Sequence, residues 1–129
     1  MQPAHARLAN AKVLIVEDEP LILIDCETIL RDIGVGHVLG VTTARDAILA
    51  LEQPDSCFDV AILDVSLQES SSLPLAEMLA QRGIATGFMS GYMVGDLPAH
   101  LRHKPFVAKP FVPSQLADML AGMLAQKTT

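Results

Sequence analysis

Phe58-Asp59-Val60-Ala61-Ile62-Leu63-Asp64-Val65-Ser66-Leu67, residues 58–67, is the stretch from which the rest of the chain can be read. Val60–Leu63 is an unbroken apolar run, the pattern of a strand buried on both faces in the middle of a parallel sheet. It closes on a lone carboxylate, Asp64. Open parallel sheets gather their ligands outside the carboxyl ends of the strands, and Asp64 stands at that point. A buried carboxylate without a partner is costly, or takes up a proton. Asp64 alone reads more readily as the N-cap of a following helix, so the other strand ends decide its meaning.

Upstream, Val13-Leu14-Ile15-Val16 is a second apolar run, closed by Glu17-Asp18-Glu19-Pro20. Pro20 suits the first turn of a helix, and acids ahead of it face the positive end of the helix dipole. That helix carries Leu23, Ile24, Ile29 and Leu30 and is expected to stop by Gly34. A strand over Val38–Val41 follows, then Thr42 or Thr43 as the N-cap of a helix over Ala44–Leu51. Residues 1–10 lack any such periodicity and are expected to form a flexible arm before a single domain over 11–126.

Downstream of Asp64, the polar loop 66–72 leads to a helix with Leu75, Ala76, Leu79 and Ala80 on its apolar side, ended by Gly83. Ile84–Met89 reads as a strand terminating in Ser90-Gly91-Tyr92. The segment 93–103 contains Gly95 and Pro98, which leave room for about two turns of helix. Residues 92–101 are therefore expected to be short, irregular and mobile at rest. Phe106-Val107-Ala108 is a last short strand ending in Lys109-Pro110-Phe111, and a helix begins near Pro113 or Ser114. Five strands, each followed by a helix, predict a (βα)5 α/β domain: a doubly wound parallel sheet, flavodoxin-like, in the order 2-1-3-4-5.

Composition narrows the function. The chain has 129 residues, half of them apolar, with a formal charge of −6 and 4% aromatics without Trp. An acidic surface repels nucleic acid and anionic membrane, and few aromatics disfavour base stacking. Cys26 and Cys57 have no metal-site spacing, and no apolar run nears the length of a membrane span. The expectation is a cytoplasmic protein with no nucleic-acid or membrane partner.

Four strand ends carry polar chemistry: Glu17 and Asp18 after the first, Asp64 after the third, Ser90 after the fourth and Lys109 after the fifth. A parallel sheet brings these ends to one edge. Three carboxylates within about 5 Å of one another repel by roughly 3 kcal/mol per pair at an effective dielectric of 20. Such a cluster needs a cation, and oxygen-only donors suit Mg2+. A carboxylate nucleophile, a divalent metal, a hydroxyl and a lysine are the parts of phosphoryl transfer onto Asp.

The motifs Val-Leu-Ile-Val-Glu-Asp-Glu (13–19), Ala-Ile-Leu-Asp-Val (61–65), Met-Ser-Gly (89–91) and Ala-Lys-Pro-Phe (108–111) together resemble the receiver domains of two-component response regulators. The resemblance runs from about Lys12 to Leu124. It implies that Asp64 is the phosphoacceptor, with intrinsic self-phosphorylation and self-dephosphorylation chemistry rather than enzyme turnover. It also implies that Asp18 and Asp64 ligate Mg2+ directly, Glu17 through water, and Ser66 through its backbone carbonyl. Ser90 becomes the switch hydroxyl, Lys109 the phosphate-binding lysine, and Phe106 the aromatic switch position, with a cis bond before Pro110. Phe88-Met89-Ser90-Gly91-Tyr92 is similar to the Phe-Ala-Thr-Gly-x-Tyr signature of the FAT GUY subgroup of single-domain or kinase-associated receivers. Met89 and Ser90 depart from it, and Tyr92, a second switch candidate, falls one residue early. The implied partners are a sensor histidine kinase or phosphotransfer protein and a downstream protein target.

Other classes fit less well. A flavin carrier needs a phosphate loop where Glu17-Asp18-Glu19 stands, and an aspartyl phosphatase needs a second Asp where Ser66 stands. The alternative that remains is a degenerate receiver serving as a phosphorylation-independent docking module.

Overall fold

The apolar run Val60–Leu63 lies in the central strand of a five-stranded parallel sheet. A computed structural model describes residues 8–65, 73–91, 104–109 and 111–127. The strands are β1 (Lys12–Val16), β2 (His37–Val41), β3 (Val60–Asp64), β4 (Ala85–Ser90) and β5 (Phe106–Ala108). Their order is β2-β1-β3-β4-β5, every pairing parallel. This is the flavodoxin-like order expected from the sequence.

The described helices of eight residues or more are α1 (Pro20–Asp32), α2 (Ala44–Leu51), α3 (Leu73–Gln81) and α4 (Pro113–Lys127). Pro20 occupies the first turn of α1, and the chain leaves that helix through Gly34 at φ 105°. Thr43 caps α2, its hydroxyl accepting from the Asp46 N–H at 3.0 Å. Gly83 leaves α3 at φ 75°, a left-handed conformation that glycine adopts without strain.

Strand alternation splits the core in two. Val13, Ile15, Val60, Ile62, Met89 and Val107 face one cluster, which receives Leu23, Cys26 and Leu30 of α1 and Leu116, Leu120 and Met123 of α4. Leu14, Val16, Ala61, Leu63 and Phe88 face the other, with Ala47 and Leu51 of α2 and Leu75 and Leu79 of α3. Every residue of β3 is buried. That explains its uninterrupted apolar pattern, since both faces leave water and each large side chain gains about 1.5–3 kcal/mol.

Two features depart in detail from the sequence pattern. Ser90 belongs to β4 rather than following it, because it pairs with Ala108 and its carbonyl accepts from the Lys109 N–H at 2.8 Å. Leu8–Asn10, within the expected arm, form a helical turn. The Leu8 carbonyl accepts from both the Ala11 and the Gly36 N–H, at 3.1 and 3.0 Å, and Leu8 packs against the first cluster. Residues 1–7, the loop 66–72 and the segment 92–103 lie outside the described residues.

Candidate functional site

Glu17 and Asp64 stand at the carboxyl edge of the sheet, at strand ends named from the sequence. Glu17 follows β1 directly, and its N–H donates to the Val41 carbonyl, which extends the β1–β2 pairing by one residue. Its carboxylate turns inward, and Oε2 accepts from the Glu19 N–H at 2.9 Å. Asp64 ends β3 opposite Met89, and the next N–H, of Val65, donates to the Met89 carbonyl at 3.1 Å. These ladder bonds fix the backbone beneath both carboxylates.

Glu17, Asp64 and Ser90 are the buried polar or charged residues among those described, at 0%, 1% and 0% exposure. One carboxylate oxygen each from Glu17, Asp18 and Asp64 lie within 4.8 Å of one another. Lys109, at the end of β5, spans the group: its Nζ donates to Asp64 Oδ2 at 3.0 Å and also to Glu17 Oε1. Five of the residues chosen from the sequence, Glu17, Asp18, Asp64, Ser90 and Lys109, thus stand at the ends of four different strands along one edge. Phe106 is half-buried in β5 opposite Phe88, on the second cluster's side of the sheet. Ser66, Tyr92 and Pro110, also chosen from the sequence, lie outside the described residues.

The electrostatics follow from this crowding. Burial pushes the Glu17 carboxyl up to about 7, and Asp64 adds to the rise against the pull of Lys109 and the Glu19 N–H. Burial alone would lower Lys109, but hydrogen bonds to Glu17 and Asp64 outweigh it and hold the ammonium above its ordinary value. One lysine therefore offsets part of three negative charges. The donor set is all oxygen, with no His or Cys among the three clustered residues. That chemistry fits a small hard cation such as Mg2+.

Sequence reasoning missed two parts of this arrangement. Lys109 engages Glu17 as well as Asp64, a convergence that only tertiary structure defines. A groove of about 400 Å3 opens beside Lys109, lined also by Ile22, Asp25, Thr28, Ile29 and Phe111.

Residues 13–121 match the response regulator receiver domain family. The chain belongs to that family. Receivers are signalling domains of two-component systems, and this receiver carries the acidic pocket at which such domains generally bind Mg2+. It is 38% identical to SdrG from Sphingomonas melonis Fr1, whose solution structure superposes with a TM-score of 0.76 over 90% of this chain and 98% of that one. It is 36% identical to SdrG from Pseudomonas melonis Fr1 in a BeF3-activated conformation, with a TM-score of 0.76 over 91% and 97% of the two chains. It is also 27% identical, over 117 residues, to the phyllosphere-induced regulator PhyR of Methylorubrum extorquens. The match takes in 88% of this chain but spans only 43% of that curated relative's length. Among the described residues, no helix is long and apolar enough to cross a membrane.

Proposed function

We propose that residues 11–126 form a working receiver that accepts a phosphoryl group on Asp64 from a histidine kinase or phosphotransfer protein. The observation that carries this reading is the bridging of Asp64 and Glu17 by Lys109, beside Asp18. It supplies a nucleophile, metal-ligand carboxylates and a phosphate-binding cation at one point. Asp64 attacks phosphorus in line, a new O–P bond forms, and the P–N bond to the donor imidazole breaks, its electron pair returning to nitrogen. Asp18 and Asp64, with Glu17 through water and the Ser66 carbonyl, would hold Mg2+. When bound there, the metal would supply positive charge against that developing on the phosphoryl oxygens. Lys109 exchanges its contact with Asp64 for a phosphoryl oxygen, and Ser90 donates its hydroxyl to another. Hydrolysis of the acyl phosphate by water returns the resting state.

Activation of SdrG by BeF3 supports the same reading here, because beryllium fluoride caps a carboxylate oxygen and imitates a phosphoryl group. In this reading the receiver is one of the single-domain or kinase-associated members, which the partial similarity of Phe88–Tyr92 to the FAT GUY signature supports. In this reading the protein works in the cytoplasm. Ser90, with Phe106 or Tyr92 repacking beside it, transmits the change to a downstream protein. The groove beside Lys109 gives the phosphodonor a seat next to the nucleophile. The second reading, a docking module indifferent to phosphorylation, loses ground because the described part of the site retains every reacting side chain.

Incubation with acetyl phosphate and Mg2+ followed by intact-mass measurement tests the proposal. One added phosphoryl group that disappears with EDTA and in Asp64→Asn is the expected result. Labelling that persists in Asp64→Asn removes Asp64 as acceptor, and no labelling of the wild type by this donor or by a phosphohistidine protein favours the docking module.

A further inference from the structure

The strand order leaves β2 at one edge of the sheet. The His37 N–H donates to the Ala11 carbonyl, and the Val41 carbonyl accepts from the Glu17 N–H. His37, Leu39 and Val41 therefore turn their backbone groups toward β1. By alternation Val38 and Gly40 turn theirs outward. Among the described residues, no strand pairs with that outer side. Natural edges are usually guarded by lysines, prolines, bulges or inward charges. His37-Val38-Leu39-Gly40-Val41 contains no Pro, Lys, Arg, Asp or Glu, and Leu39 is 41% exposed.

We propose that this edge pairs with β2 of a second copy of the chain, antiparallel about Leu39, joining two sheets into one. The backbone directions fit that register. Val38 lies opposite Gly40 of the partner subunit, and Gly40 opposite the partner's Val38, each a hydrogen-bonded pair. Leu39 meets Leu39 of the partner subunit as a non-hydrogen-bonded pair, the kind in which side chains approach most closely.

Charge complementarity selects a second copy over other occupants. The Glu27 carboxylate of α1 lies over Gly40, where an added Cβ would stand 2.9 Å from Oε2. One turn further along α1, Arg31 lines a depression with His37, Val38 and Leu39. Glu27 thus lies over residue 40, and Arg31 lies toward the start of β2, beside residues 36–39. Antiparallel pairing of 38 with 40 brings Arg31 toward the partner's Glu27, and Glu27 toward the partner's Arg31. Within one chain these two are only loosely joined, at 4.0 Å, with the Arg31 side chain 60% exposed. The strand starts also carry Lys12 and His37, while Asp18 and the exposed Glu19 follow the end of β1. A twofold axis at Leu39 sets each basic start beside the other copy's acidic end.

Sedimentation of the full chain from about 10 µM to about 1 mM tests the proposal, a range suited to a small interface. A concentration-dependent monomer–dimer equilibrium is expected. Leu39→Lys, at an exposed position, puts like charges opposite one another and weakens the dimer at least about tenfold. Arg31→Glu and Glu27→Lys each weaken it, and the double variant regains it to within about threefold, which a merely structural role would not produce. Thermal melts by circular dichroism establish that each variant is folded. The proposal is overturned by a monomeric wild type over this range, whatever else binds the edge. It is equally overturned by an undiminished Leu39→Lys dimer, or by a double variant as weak as the singles.

Discussion

Lys109 Nζ lies 3.0 Å from Asp64 Oδ2 while also donating to Glu17, so one cation from β5 ties together carboxylates from β1 and β3. This lysine offsets repulsion among Glu17, Asp18 and Asp64, and in the proposed reaction it is the group that passes to the phosphoryl oxygens. The resting contact thus holds the nucleophile and keeps its future partner within reach.

Lys109→Met separates these roles. Removing one member of a buried ion pair costs about 3–5 kcal/mol. Glu17, already pushed up to about 7, takes up a proton and limits the loss. The expected destabilisation in EDTA at neutral pH is about 3 kcal/mol, read from urea unfolding. Saturating Mg2+ should recover more stability in this variant than in the wild type, because the metal supplies the missing positive charge. A loss below about 1 kcal/mol with an unchanged Mg2+ response would show that the lysine does not neutralise the cluster.

Asp18 gives the complementary measurement. A ligand bound only to the folded state stabilises by RT ln(1 + [L]/Kd), about 2.7 kcal/mol at a hundredfold excess over Kd. Mg2+ should raise the wild-type melting temperature, and Asp18→Ala should lose most of that rise. An undiminished rise in Asp18→Ala would place the metal elsewhere.

The fold was legible because a parallel sheet covered on both faces needs apolar runs, and each run here ends on a polar residue at one edge. Glu17, Asp18, Asp64, Ser90 and Lys109 could be chosen from that punctuation alone. What the sequence did not reveal depends on approach across the fold. Gly40 reads as a weak spot in a strand, yet it is where Leu23 and Glu27 of α1 settle on the sheet. Gly36, two residues past the helix stop at Gly34, donates its N–H to the Leu8 carbonyl and so holds the turn there. Pairings of this kind join residues with no shared periodicity, so no local pattern announces them.

The two thiols should separate by reactivity. Cys57 is exposed, whereas Cys26 is 1% exposed, directs its Sγ at Met89 Sδ across 3.9 Å, and is pushed up to about 12 by burial. At mildly alkaline pH, alkylation should modify the exposed Cys57 in the native receiver and reach Cys26 only after unfolding. Peptide mapping after brief iodoacetamide treatment checks this. Equal labelling of both would mean that α1 opens from β4 on the labelling timescale.

Gly36 offers the sharpest test of how the start of the chain is held. A Cβ built on Gly36 would stand 1.9 Å from the Ala9 carbonyl oxygen and 2.9 Å from its carbon, both backbone atoms with no rotamer to escape into. Gly36→Ala must therefore push the turn at Leu8–Asn10 away from the entrance to β2, releasing the bond from the Gly36 N–H to the Leu8 carbonyl. Leu8 then leaves the first cluster. A lost hydrogen bond and a partly buried leucine together are worth about 2 kcal/mol. The expected result is a drop of that size in urea unfolding, with amide exchange accelerated at Ala11 and residue 36. Mg2+-dependent stabilisation should be unchanged, since the turn lies at the opposite end of the sheet from Asp64. A fully stable Gly36→Ala would show that the turn moves aside at no cost and contributes little to holding the core.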